Sequence, residues 1–153
     1  MIPWEYLASA PVPGATAVLG LYRRGTEYAI RVGNRELMNS RVYGEEEALA
    51  ELACARISGR LKPRILIGGL GMGFTLAAAL RGIGPEGQVV VAELVPGVVV
   101  WNRGHLAELA GHPLQDSRVA VYQGDVAEAI RTARQAFDAI LLDVDNGPEG
   151  LAR

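Results

Sequence analysis

Arg64-Ile65-Leu66-Ile67-Gly68-Gly69-Leu70-Gly71-Met72-Gly73-Phe74-Thr75-Leu76 is the stretch on which the fold turns. Ile65-Leu66-Ile67 is apolar without alternation and too short for a helix, which predicts a buried strand. Gly68, Gly69, Gly71 and Gly73 then make a turn, and Thr75 to Arg81 has the pattern of a helix. Glycine permits positive φ and lets a ligand approach the backbone with no Cβ in the way. The N–H groups at the start of the following helix favour an anionic or polar group. A tight strand–helix turn also needs glycine for packing, so the loop alone does not establish a ligand.

Downstream, strands and helices alternate. Gln88 to Ala92, Arg118 to Tyr122 and Phe137 to Leu142 predict three more strands; Val98 to Leu109 and Val126 to Arg134 predict the helices between them. Apolar Val/Ile/Leu runs separated by helices indicate an α/β domain with a Rossmann-like parallel sheet covered on both faces. The sheet is expected to be truncated after its fourth strand, with an open edge that a partner or a longer chain would cover. Upstream, Ala15 to Ser40 suggests a three-stranded antiparallel meander, with turns at Arg23-Arg24-Gly25 and Gly33-Asn34. Three short strands have little core of their own, so a lid or dimer element is expected. Glu45 to Ile57 reads as a helix: Glu45, Glu46 and Glu47 suit its positive end, and Ala48, Leu49, Leu52, Ala53 and Ile57 recur at helical spacing. The division is then 1–43, a β meander or lid, and 44–153, a nucleoside-binding α/β domain.

Acids cluster where such a sheet binds ligands, at the carboxyl ends of its strands. Glu93 ends the second strand twenty residues after Gly73, where a carboxylate can accept from both ribose hydroxyls. Asp125 follows the third strand; it can accept from an adenine amino group, cap the helix from Val126, or do both. Asp143 and Asp145 follow the fourth strand. The loop reads G-x-G-x-G from Gly69 to Gly73, without the third glycine of the dinucleotide fingerprint, which disfavours a nicotinamide cofactor. S-adenosylmethionine fits better, with a ribose for Glu93 and an amino-acid tail for the glycine turn.

Composition removes other classes. The chain has 153 residues, 50% of them hydrophobic and 21% charged, which gives one ordinary domain with material for a core. A formal net charge of -2 argues against a nucleic-acid partner. The uncharged run Ile65 to Leu80, like that from Tyr6 to Tyr22, is shorter than the roughly 20 residues of a membrane helix and is broken by glycines. The first residues lack a signal peptide's pattern, so a cytoplasmic protein with no membrane partner is expected. The single cysteine, Cys54, excludes an intrachain disulfide and should be a buried, inert thiol. His105 and His112 are too few and too separated for a histidine-based metal site. Trp4 and Trp101 are expected in packing or at an interface, with Trp101 able to wall the cofactor pocket if its helix faces the crevice.

Ile65 to Gly73, Glu93, Asp116-Ser117-Arg118-Val119 with Gly124-Asp125, and Phe137 to Asp143 together resemble spermidine synthase and its relatives within the class I methyltransferase fold. The meander leading into Tyr43-Gly44-Glu45 is similar to that family's small β domain and its Tyr-His-Glu segment. The resemblance implies that Glu93 holds the ribose, Asp125 the adenine and Asp143 the reacting amine. Three positions depart from it. The family's loop acid, which attracts the amine of decarboxylated S-adenosylmethionine, falls on Gly71; its second catalytic acid falls on Asn146, with Asp145 one place early; its histidine falls on Gly44.

The expectation is a transferase that binds S-adenosylmethionine or its decarboxylated form and passes a methyl or aminopropyl group to a small amine acceptor. Asp143 would bind or deprotonate the amine with help from Asp145, and the glycine at 71 tilts the reading toward methyl transfer. The alternatives are a catalytically silent module that binds the nucleoside and, less favoured, a nicotinamide-dependent oxidoreductase. The open sheet edge and the meander predict a homodimer.

Overall fold

The structure, a computed structural model, describes residues 2–142. Two four-stranded sheets make it up. The first is antiparallel, in the order β1-β2-β3-β4: β1 is Glu5–Pro11, β2 Val18–Arg24, β3 Glu27–Val32 and β4 Arg35–Asn39. The meander thus has four strands rather than three. β1 escapes the period-2 test because its register shifts between Tyr6 and Ala8, breaking the alternation. On the outer face of this sheet the Trp4 ring lies under the guanidiniums of Arg24 and Arg31, at 4.5 and 5.1 Å.

After helix α1 (Gly44–Arg56), the second sheet is parallel and interleaved with helices. Its strands are β5 (Arg64–Gly68), β6 (Gln88–Glu93), β7 (Val119–Gln123) and β8 (Ala139–Leu142), in the order β7-β6-β5-β8. The intervening helices are α2 (Phe74–Gly82), α3 (Pro96–Arg103) and α4 (Val126–Thr132). The chain therefore steps outward from β5 through β6 to β7, then returns to the other side of β5. The reversal between β5 and β8 is the topological switch point at which α/β sheets bind ligands, and the glycine loop follows β5 directly.

Side chains alternate across the sheet. Ile65, Ile67, Val89, Val91 and Leu141 face one way, into a core shared with α1, α2, α3 and Leu19, Leu21 and Ile30 of the antiparallel sheet. Leu66 and Ala92 face the other way, where Ala129 of α4 meets them. That second face is less well covered than the sequence suggests. Ile140, opposite Leu66, is 45% exposed, and Leu142, opposite Gly68, is 56% exposed.

The helices also differ in detail. In α1 the buried residues are Ala50 and Cys54, with Ile57 just beyond, while Leu49 and Leu52 stay exposed. The Cys54 thiol lies 3.7 Å from the Ala79 carbonyl of α2, and a Cβ on Gly82 would come within 2.7 Å of it. α3 ends at Arg103 rather than Leu109; the chain continues in turns that still bury Leu106. α4 ends at Thr132 rather than Arg134. Trp101 is buried in the core instead of walling a crevice.

Candidate cofactor-binding site

The loop from Gly68 to Gly73 is a compact turn. Gly69 extends the sheet by donating from its N–H to the Ala92 carbonyl at 2.8 Å, and the Gly73 N–H donates to the Leu70 carbonyl at 2.9 Å. Gly68 has a packing reason to be glycine, since a Cβ there would lie 2.9 Å from Val126. Gly71 and Gly73 have a conformational one: their φ values, +55° and +88°, lie in the left-handed region. Met38 of β4 comes down on Gly71, its sulfur 3.1 Å from where a Cβ would stand.

Glu93, at the tip of β6, reaches into this loop and is buried. Oε1 accepts from the Leu70 N–H at 2.8 Å and Oε2 from the Val95 N–H at 3.0 Å. Burial pushes its pKa above the ordinary carboxylate value; the backbone N–H groups of Val95, Leu70, Gly71 and Leu94 pull it back. Backbone donors rather than a cation hold this charge. Among the described residues only the Leu70 and Val95 N–H groups lie at hydrogen-bond distance, one on each oxygen, which leaves room on both for further donors such as a diol.

Asp125 sits on the next strand connection, exposed, as the N-cap of α4; its Oδ1 accepts from the Ala127 N–H at 2.8 Å. The capping reading is thus realised, with the second oxygen still available. Asp143 and Asp145 lie outside the described residues. Among the described residues, no group of three or more His, Cys, Asp or Glu could hold a metal, and no helix is long and apolar enough to cross a membrane.

Two neighbours of the loop carry no motif in the sequence. Asn102 of α3 is buried, and its Nδ2 donates to the Gly71 carbonyl at 2.7 Å and to the Val98 carbonyl at 2.9 Å. Met38, which reaches the loop from the antiparallel sheet, is the other. Helical spacing marks Asn102 only as a polar residue on an apolar helix, the one signal that could have found it. Beside the loop, Tyr43 stacks on Phe74 with ring centroids 4.5 Å apart, over a cavity of about 380 Å³ with the Glu47–Arg81 ion pair (2.8 Å) in its wall.

The residues present suit an adenosyl sulfonium compound. A buried carboxylate with spare lone pairs stands beside a turn whose backbone carries no Cβ at 69, 71 or 73.

Known proteins bear on this geometry. The chain is 30% identical over 89 residues to a polyamine aminopropyltransferase of Korarchaeum cryptofilum, a match covering 58% of this chain and 27% of that protein. It superposes with a TM-score of 0.72 on spermidine synthase from Thermotoga maritima, at 18% identity over 90% of this chain and 47% of that one. A spermidine synthase in complex with the transition-state analogue AdoDATO gives the same TM-score, 0.72, at 17% identity over 92% of this chain and 48% of the other. A candidate O-methyltransferase from Klebsiella pneumoniae gives 0.52 at 26% identity, covering 71% of this chain and 47% of the other. No family model matches the chain. The chain spans about half the length of these solved structures, and its matched stretch about a quarter of the curated relative. It is therefore similar in sequence to a polyamine aminopropyltransferase and shares with the spermidine synthases their class I methyltransferase-like α/β fold.

Proposed function

We propose that this chain carries the nucleoside-binding part of a transferase that takes S-adenosylmethionine and passes its methyl group to a small amine. The buried Glu93 carboxylate, fixed between the glycine loop and the start of α3, is the observation that carries this reading. In it, Glu93 accepts from the two ribose hydroxyls, Asp125 from the adenine amino group, and the bare backbone at Gly69, Gly71 and Gly73, with Gly68 packing beneath, receives the amino-acid tail. When bound, the sulfonium supplies an electrophilic carbon and a neutral thioether leaving group, so the carbon–sulfur pair of electrons goes to sulfur as nitrogen bonds the carbon. The chain's own work is to align donor and acceptor, exclude water and take the amine's proton. Asp143, with Asp145 assisting, is assigned that proton. Residues 1–43 form the cover, through which Met38 reaches Gly71, and residues 44–153 the nucleoside-binding unit; the protein is proposed to be a cytoplasmic homodimer.

The position of Gly71 favours the carboxylate-bearing donor. An acid there would attract an amine tail. Here the space holds a thioether, and an aspartate would enter it in a left-handed backbone conformation with its Cβ 3.1 Å from sulfur. Neither a thioether nor a backbone N–H repels a carboxylate. The similarity to a polyamine aminopropyltransferase supports the second reading, aminopropyl transfer from the decarboxylated nucleoside.

Calorimetric titration with both nucleosides tests the choice. Tighter binding of S-adenosylmethionine is expected; tighter binding of the decarboxylated form would replace methyl with aminopropyl transfer, and binding of neither would end the nucleoside reading. Binding without turnover on a panel of polyamines and small amines would leave a silent binding module.

A further inference from the structure

Asn102 stands beneath the loop rather than in the sheet rim. Its helix, α3, is anchored by Val98, Val99 and Trp101 in the core, so it is a rigid reference for whatever it holds. One amide hydrogen of Asn102 is pinned to its own helix at the Val98 carbonyl; the other is given to the Gly71 carbonyl at 2.7 Å. The amide oxygen lies 3.2 Å from the place a Cβ would take on Gly73, so the side chain fills the underside of the turn between residues 71 and 73. Both donors are used, which fixes the plane of the amide and with it the direction of the Gly71 carbonyl.

That direction has a partner. In a planar trans peptide the carbonyl of one residue and the N–H of the next point opposite ways. Drawing the Gly71 carbonyl toward α3 turns the Met72 N–H to the other face of the loop. Among the described residues that N–H donates to no protein acceptor. An N–H that follows a left-handed glycine and meets no acceptor among the described residues is free to meet an anionic group.

We propose that Asn102 is a positioning residue for donor selectivity: by holding the Gly71 carbonyl, it aims the Met72 N–H at the carboxylate of the methionine tail. This rests on the nucleoside reading above. The decarboxylated form has no group for that N–H, so its affinity is insensitive to the peptide's orientation. Asn102 differs in this from Glu93, which would serve the ribose common to both.

The test compares affinities of the two nucleosides for the wild-type chain and for Asn102→Ala by calorimetry. Loss of the amide should weaken S-adenosylmethionine about tenfold or more and leave the decarboxylated form within about threefold, the first being what one charge-assisted hydrogen bond is worth. Equal weakening of both, or of neither, overturns the assignment and leaves Asn102 a structural support. A measurement on the unaltered protein guards against a variant that does not fold: the Met72 amide proton should move downfield with S-adenosylmethionine and not with the decarboxylated form, and equal movement with both overturns the proposal. Wild-type protein that binds neither nucleoside sinks the nucleoside reading together with this one; wild-type binding with an unchanged ratio sinks this one alone.

Discussion

The middle of the parallel sheet and its outer strands differ sharply in what they do with the same kinds of residue. In β5 and β6, Ile65, Leu66, Ile67, Val89 and Val91 are fully buried, and the acid at the tip, Glu93, is buried with them. In β7 and β8 most residues are half-exposed or exposed, Leu141 being the buried one, and the acid following β7, Asp125, is a solvent-facing helix cap. A carboxylate in the paired centre of a sheet is desolvated, so each hydrogen bond to it counts for more than at the edge. The contrast teaches that position in the strand order, more than residue type, decides how far an acid at a strand end is desolvated.

Substitutions can break or sharpen this contrast. Leu66→Ala should cost about 2–5 kcal/mol in urea unfolding, while Ile140→Ala, its half-exposed neighbour on the same face, should cost about 1 kcal/mol or less. Equal costs would show that centre and edge are equivalent after all. Next, Glu93→Ala should lower nucleoside affinity about 100-fold or more by calorimetry, since two hydrogen bonds to a charged group are lost. Asp125→Ala should cost about 1 kcal/mol of stability through the lost cap, and Asp125→Ser should restore the cap without the carboxylate. If Ser also restored affinity, Asp125 would be a cap alone.

The smallest effect is set by pH. Asp116, at the entry to β7, accepts from the Arg118 guanidinium at 2.8 Å and from its backbone N–H at 2.9 Å, which lowers its pKa from 3.8 to about 2. The folded value lies below the unfolded one, so the unfolded chain takes up the proton first as pH falls. Its contribution is complete above about pH 4 and is lost as pH drops toward 2. Urea titrations across that window should show the loss in wild type and a flatter profile in Asp116→Asn.

Much of the centre was legible in the sequence. Ile65-Leu66-Ile67, the glycines after it and Glu93 announce themselves because a buried parallel strand is a short apolar run, and its turn must be free of side chains. The edges were less so. β1 contains a bulge and small residues, and Ile140 and Leu142 read as core although little covers them. In α1 the spacing picked Leu49 and Leu52, while the structure buries the smaller Ala50 and Cys54, because close approach to α2 at Gly82 admits only small groups. Asn102 and Met38 were invisible for a different reason. Each matters through one contact with Gly71 from a distant element, and no local period encodes a tertiary contact.

The seat of Cys54 has a practical consequence. As the chain's sole thiol, closed in by the Ala79 carbonyl and Gly82, it meets a soluble alkylating reagent when α1 lifts from α2. Its labelling rate is then a built-in clock for breathing of the wall behind the loop, and a nucleoside that stiffens the loop would slow that clock without touching the sulfur.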